Sequence, residues 1–349
     1  MRSRKRQVLV LFILVVLLIG SMLLASTLGA VPIPLSDIVK MSLDKIPFVH
    51  LEPTWSPAHE VIFFQIRLLR VIGGMLIGAS LATAGVLFQG LLRNPLADPY
   101  IIGTSSGALF GATLVIIFIP AALSLWGFGL VSIAAFVGAL GAVFLVYQLA
   151  RIGGRTPVVT LILAGFAVGA FFIAITWFML SMSSEFHYKL GAVFDFLTGA
   201  IRVASWHQLA VAASLILGGI VLARFFTFHL NAFSLGEEGA AYVGINVERA
   251  KVFILGLGAF LTACAVCLGG LIGFVGLVMP HAMRLVLGPG HRFLLPASAL
   301  AGASFLILAD IGARTILAPT EIRLGILTAI IGTPFFIYLL RRYRKEYAF

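Results

Sequence analysis

The chain has 349 residues, 61% hydrophobic and 11% charged, with a mean hydropathy of +1.11; a soluble globule of that composition could not cover its surface with polar groups. Its 24 Lys and Arg against 13 Asp and Glu give a net charge of +11 and a pI of about 10.2, which a basic face beside anionic lipid explains without nucleic acid. At about 1.5 Å per residue, a ~30 Å hydrocarbon core takes roughly 20 apolar residues per crossing, so the length allows about ten crossings and no large soluble domain. Residues 1–349 therefore read as one all-α domain, a polytopic transmembrane bundle of about ten helices.

A basic tail, residues 1–7, carries Arg2, Arg4, Lys5 and Arg6 and sets the N-terminus on the cytoplasmic side. The apolar stretches predict spans near 8–28, 61–92, 99–119, 127–150, 157–181, 207–228, 250–271, 273–287, 294–313 and 322–340, the eighth of them short. The first is longer than the roughly 7–15-residue apolar core of a signal peptide and leads into further spans, so a retained anchor is expected. Residues 30–60, with five prolines, two histidines and Trp55, form an outer segment that either lies on the membrane surface or rims a docking site. In the second span Arg67 and Arg70 sit at the water boundary, and the membrane portion begins near Val71. With ten spans both termini are cytoplasmic, and the inner side holds 16 of the 24 Lys and Arg with 5 of the 13 acids, leaving the outer face at zero. A multi-pass protein is expected, with the cytoplasmic (inner) membrane as its location.

Glycines recur four residues apart at Gly74 and Gly78, Gly103, Gly107 and Gly111, Gly165 and Gly169, and Gly269 and Gly273, spacing that lets helix backbones pack closely in lipid. Residues 74–99 and 257–281 share a pattern of small-residue helix, glycine cluster and Pro-containing break. One descends and the other ascends, as in an inverted-topology repeat. Cys264 and Cys267 form a CxxC inside an apolar helix without redox or zinc context, and read as packed thiols. Pro280, His281, Arg284, His291 and Arg292 suggest either a metal or haem site or, more plainly, a basic cytoplasmic loop supporting its neighbour. His50, His59, His187 and Tyr188 could touch a substrate outside or be merely solvated.

The cytoplasmic loop 233–251 is unusual: Glu237 and Glu238 open a short helix, Ala240, Ala241 and Val243 give it an apolar face, and Gly244 ends it. It reads as a docking knob or as a solvated turn. No GxxxxGK[ST] occurs, so the chain cannot cradle nucleotide phosphates by that route. No acid or His stands at the centre of a predicted span, as an ion relay requires. The driving force is therefore expected from a partner. The rival reading, an ion-coupled secondary transporter or channel without an ATPase, leaves both features unexplained. No HExxH, paired carboxylates or Ser/His set within the spans points to an enzyme.

Six blocks in order carry a specific resemblance: RLLR at 67–70, GASLATAGVLFQGLLRNPLADPYIIGTSSGA at 78–108, LILAGFAVG at 161–169, SLGEEGAAYVG at 234–244, GFVGLVMPHAMRLVLGPGHRFLLP at 273–296, and LADIGARTILAPTEIRLGILTAIIGTPFFIYLL at 308–340. Together they resemble the permease family of type II ABC importers for iron-siderophores, haem and cobalamin, over nearly the whole chain after the first span. The resemblance implies an inverted-repeat permease that homodimerises around one pathway. Two ATP-binding subunits, which hold the ATP and Mg, sit on the cytoplasmic side, and a substrate-binding protein docks outside. The permease itself is no enzyme and binds no cofactor or metal directly.

By the same resemblance Leu235, Gly236, Glu237, Glu238, Ala241 and Gly244 form the coupling helix that enters a cleft in the ATPase, and Arg67, Arg70 and Arg314 meet acidic residues of the binding protein. Arginines at a rim can grip carboxylates bidentately, although Asp310, one turn before Arg314, could neutralise it internally. Thr156, Val158, Val159 and Thr160 occupy the position of the family's cytoplasmic gate; Thr156 as cap and Pro157 in the first turn would equally make a plain helix start. Residues 185–202 match a short re-entrant helix. Leu69 and Arg323 depart from the family, which commonly has Pro at both positions. Leu69 should let its helix continue unkinked, and Arg323 either adds charge to the rim or pairs with Glu321. An iron chelate or haem is the first expectation for cargo, cobalamin the second.

Overall fold

In a bilayer each backbone N–H and C=O must find a partner inside its own structure, so a chain this apolar crosses as helices. The computed structural model describes residues 4–29, 31–49, 53–119, 124–125, 128–183 and 185–343. Arg2, His50, Arg344 and Lys345 and positions 30 and 50–52 of the outer segment lie outside the described residues. The α-helical segments are α1 (Arg4–Thr27), α2 (Leu35–Asp44), α3 (Pro57–Val61), α4 (Leu68–Leu91), α5 (Thr104–Phe118), α6 (Leu130–Ala150), α7 (Val158–Ser181), α8 (Phe186–Leu197), α9 (Trp206–Phe225), α10 (Thr227–Phe233), α11 (Gly236–Tyr242), α12 (Val247–Gly269), α13 (Val275–Leu287), α14 (His291–Thr315) and α15 (Leu324–Tyr343). A short hairpin pairs Ser124 with Gly129 between α5 and α6.

Because α3, a π-helical turn at Ile62–Arg67 and α4 run on as one helix, Pro57–Leu91, the described residues form fourteen helices rather than about ten. Seven are long and apolar enough to cross a membrane, namely α1, α3–α4, α6, α7, α9, α12 and α14, while α5, α13 and the Leu324–Leu339 part of α15 are apolar but shorter. The surplus is α2, α8, α10 and α11, too short to span. Two of these, α8 and α11, are the short helices read in the sequence; α2 and α10 had no counterpart there.

The centre of the bundle is α4. In its most apolar window 83% of residues are buried, against 17% for α1 and for α7, which sets α4 inside and those two at the periphery. Small residues permit this: Gly78 backs onto Gly302 of α14, Gly85 onto Gly276 of α13, and Ser80 Oγ donates to the Leu261 carbonyl of α12 at 2.7 Å. Gly107 and Gly111 likewise seat α5 on Gly138 and Ala134 of α6. The expected close-packing role holds for these pairs, whereas a Cβ at Gly273 would meet nothing within 4 Å.

Rising positions on α4 meet falling positions on α12, Ile77 against Gly269 and Phe88 against Gly258, so the two helices are antiparallel. Each then breaks where the backbone takes positive φ, at Arg93 and Gly103 in one and at Gly270 and Phe274 in the other. The breaks meet: Tyr100 Oη donates to the Ile272 carbonyl at 3.2 Å and accepts from the Ile272 N–H at 3.3 Å. This is the geometry of an inverted repeat.

These contacts define two ends. The basal end gathers the start of α1, the end of α4, the start of α7, all of α10 and α11, the starts of α12 and α14, and the end of α13. At the apical end lie the end of α1, the start of α4, α8, and the junction of α14 with α15.

Candidate functional site

At the apical end the helical carbonyls closing α1 have no intrahelical partner, and two arginines supply one. Arg67 donates through Nη1 to the carbonyls of Ser26 at 2.9 Å and Thr27 at 3.2 Å, and through Nη2 to Val31. Arg314 reaches the carbonyls of Leu28 at 3.3 Å and Ala25 at 3.4 Å. Between the arginines lies Asp310, 2% exposed, which pairs with Arg314 Nε at 3.0 Å and Arg70 Nη2 at 2.9 Å. Arg70 also grips Glu321 bidentately at 3.1 and 2.9 Å.

The internal neutralisation of Arg314 by Asp310, weighed from the sequence, is present, whereas Arg67 lies inside and not at the water boundary. Arg67 and Arg314 are 4% and 8% exposed and are engaged within the chain, and of the three arginines Arg70 keeps a partly exposed guanidinium. Arg323 does not pair with Glu321 either; its guanidinium meets Asp195 of α8, which Arg202 approaches at 3.6 Å. The helix continues through Leu69 as expected, but the π-helical turn just before it sets the direction of Arg67.

At the basal end, Gly236 and Gly244 adopt φ of 93° and 85°, turning the chain into and out of α11. Leu235, Tyr242 and Val243 are exposed, as are Glu238 and Ala241, whereas Ala240 is buried against the bundle. The two acids part company. Glu238 faces outward, and Glu237 turns inward to Lys251 Nζ at 2.7 Å.

Lys251 donates also to Glu248 Oε1 at 3.0 Å and to the Thr156 carbonyl at 2.9 Å, and Glu248 Oε2 accepts the Thr156 N–H at 3.0 Å. Thr156 is thus buried and held through its backbone, and its hydroxyl caps nothing; α7 begins at Val158 with Pro157 as cap residue. The expected side-chain cap by Thr156 is absent because the helix begins one residue later than that reading needs, at Val158, and Pro157, which has no side-chain acceptor, stands at the cap position. Val159 is 67% exposed, Val158 and Thr160 are half-buried, and Thr160 Oγ1 donates back to the Pro157 carbonyl at 2.8 Å. Glu237 of α11 and Thr156 just before α7, far apart in sequence, share one cluster.

Sequence reasoning missed Lys251, Glu248, Asp195 and Arg202. The i,i+3 spacing of Glu248 and Lys251 was an available signal; nothing local marks the pairing of Arg323 with Asp195. Among the described residues no group of three or more His, Cys, Asp or Glu is placed to hold a metal. His291 instead ties α14 to α10, its Nδ1 lying 2.8 Å from Asn231 Oδ1. His59 lies beside Asp37, and Tyr188 is exposed. Cys264 and Cys267 are free thiols in the packed bundle.

A groove of about 690 Å³ runs along α5, the end of α8, the break at 271–274 and α15, where Ser105, Thr198 and Thr333 stand among Phe274, Ile330 and Pro334. Hydroxyls and broken backbone at this depth are stable beside protein or water, not against lipid.

The FecCD transport family matches residues 13–342. The chain is 38% identical over 356 residues to a cobalamin import system permease protein of Halobacterium salinarum, covering 93% of this chain and 94% of that one. It is 39% identical over 288 residues to a hemin transport system permease protein of Yersinia pestis, covering 82% and 84%. A solved structure described as an inward-facing ABC transporter of metal-chelate type superposes with a TM-score of 0.79 at 30% identity, covering 96% of this chain and 99% of the other. A central small-residue helix, two meeting breaks and a short basal helix thus occur in a chain that matches one family nearly end to end, and the chain belongs to the FecCD transport family.

Proposed function

We propose that the chain is the permease subunit of a binding-protein-dependent ABC importer, moving a bulky metal chelate, haem or cobalamin inward across the cytoplasmic membrane. The observation that carries this reading is α11, a short helix at the basal end whose Glu238, Ala241 and Tyr242, with the flanking Leu235 and Val243, are exposed, in a chain of the FecCD family. An uncovered patch of that kind suits a protein cleft better than water. The occupant is the ATPase subunit, which holds the ATP and Mg and does the hydrolysis. The concentration of Lys and Arg at the basal end supports a cytoplasmic basal face with both termini inside.

Two copies form the transporter around a shared pathway, with the groove between α5, the end of α8, the break at 271–274 and α15 as its wall. Its lining of apolar and hydroxyl groups suits a large chelate recognised by fit. On the apical side the binding protein meets Arg70, with Arg202 and Arg323 beside it, while Arg67 and Arg314 hold α1 beneath that surface. Val159 and its neighbours close the inner mouth.

The test is uptake into proteoliposomes containing the chain, its ATPase and its binding protein, comparing labelled haem, a ferric siderophore and cobalamin. ATP-dependent uptake of one is expected. Transport by the chain alone under an ion gradient would replace this reading with the secondary transporter.

A further inference from the structure

The tie between α11 and α7 passes through one side chain. Lys251, near the start of α12, has a side chain 8% exposed, and its three ammonium hydrogens meet three acceptors: Glu237 of α11 at 2.7 Å, Glu248 of α12 at 3.0 Å and the Thr156 carbonyl at 2.9 Å. Glu248 closes the set on the Thr156 N–H at 3.0 Å. Both backbone polar groups of Thr156, two residues before α7, are therefore committed to α12. A charge this far out of water depends on all of its bonds, so a displacement of α11 is resisted until Lys251 and Thr156 move with it.

We infer that Lys251 is a positioning residue, a strut that carries the displacement of α11 to the start of α7 and so links the ATPase to the inner mouth of the pathway. The inference rests on the importer function proposed above. It separates the two acids of α11: Glu238 presents charge to the ATPase, and Glu237 reports the helix's position to Lys251. It also explains why Thr156 is buried while Val159, one turn on, stands exposed: the first is the attachment point and the second the part that moves into the passage.

The strut predicts uncoupling rather than simple loss. In proteoliposomes holding the complete complex, the readout is substrate imported per ATP hydrolysed, using whichever of haem, ferric siderophore and cobalamin the wild type takes up. Lys251→Met should lower that ratio about tenfold, and Lys251→Arg, which keeps the charge and several donors, should restore most of it. Glu237→Gln leaves the bonds among Lys251, Glu248 and Thr156 in place and should still lower the ratio severalfold, so it decides the matter if Lys251→Met does not assemble. Glu238→Gln should lower uptake and hydrolysis in step, with the ratio unchanged. A wild-type ratio in Glu237→Gln overturns the strut, whether uptake and hydrolysis are both retained or fall together; the latter result would put Glu237 on the ATPase-facing surface. A working wild type with unaltered variants removes the strut alone. A wild-type complex that hydrolyses ATP and moves none of the three probes removes the importer reading and the strut with it.

Discussion

Asp310 shows how one carboxylate can organise an end of the molecule. It is nearly inaccessible and stands between Arg70 and Arg314, and Arg314 in turn holds the last carbonyls of α1. Removing one member of a buried pair leaves the other charge uncompensated, at a cost of about 3–5 kcal/mol. Asp310→Ala should therefore lower the thermal unfolding midpoint in detergent sharply and loosen α1 at its apical end. Glu321, whose side chain is 51% exposed, pairs with the same Arg70 in a wetter setting, where such a pair contributes about 0–1 kcal/mol. Glu321→Gln should unfold close to wild type, and equal losses for the two variants would refute the central role of Asp310. The i,i+4 spacing made the pairing of Asp310 with Arg314 legible in the sequence, but Arg70, 240 residues away, was not. The burial of Arg67 was hidden for a related reason: sequence shows that an arginine stands near a span end, and not that another helix terminates beside it with unpaired carbonyls.

At the level of elements, close backbone approach decides which glycines matter. A Cβ on Gly85 would run into the Gly276 carbonyl, and one on Gly78 into the Gly302 carbonyl, where neither backbone can yield as a flexible side chain would. Gly141, on α6, has nothing within 4 Å of that position. Overpacking costs about 1–3 kcal/mol, so Gly85→Ala and Gly78→Ala should each reduce stability and folded yield, while Gly141→Ala should leave both unchanged. Spacing alone nominated Gly78 and Gly273 equally, and only the helix opposite tells them apart. Apolar length made the spanning helices legible, and the Glu-Glu start and glycine end made α11 legible. The amphipathic α2 was hidden among prolines. It buries Ile38 and Met41 and leaves Leu35, Val39 and Leu43 exposed, a two-faced pattern too short for a span. The π-helical turn at Ile62–Arg67 leaves no trace in hydrophobic period, because it alters hydrogen-bond register without altering which residues are apolar.

For the molecule as a whole, sidedness joins the two sites into a device with a direction. Arg93, Arg151, Arg155, Arg224, Arg249, Arg284 and Arg292 all lie at or beside the basal ends of helices, together with Arg4, Lys5 and Arg6. The apical groups are balanced in charge and largely paired with one another. Excess positive charge stays on the cytoplasmic side during insertion, and the orientation we propose on that ground has α11 and the start of α7 inside and the Asp310 cluster outside. The arrangement can be read directly. In a background carrying Cys264→Ala and Cys267→Ala, a single cysteine is introduced by Phe48→Cys at the apical end or by Tyr242→Cys on α11; the native side chains there are 98% and 91% exposed. A membrane-impermeant thiol reagent applied to intact cells should label the Phe48→Cys protein and spare the Tyr242→Cys protein until the membrane is opened. Binding of the ATPase should then protect the second from labelling and leave the first unaffected. The reverse pattern on intact cells would turn the molecule over, and with it the assignment of α11 to an ATPase on the cytoplasmic side.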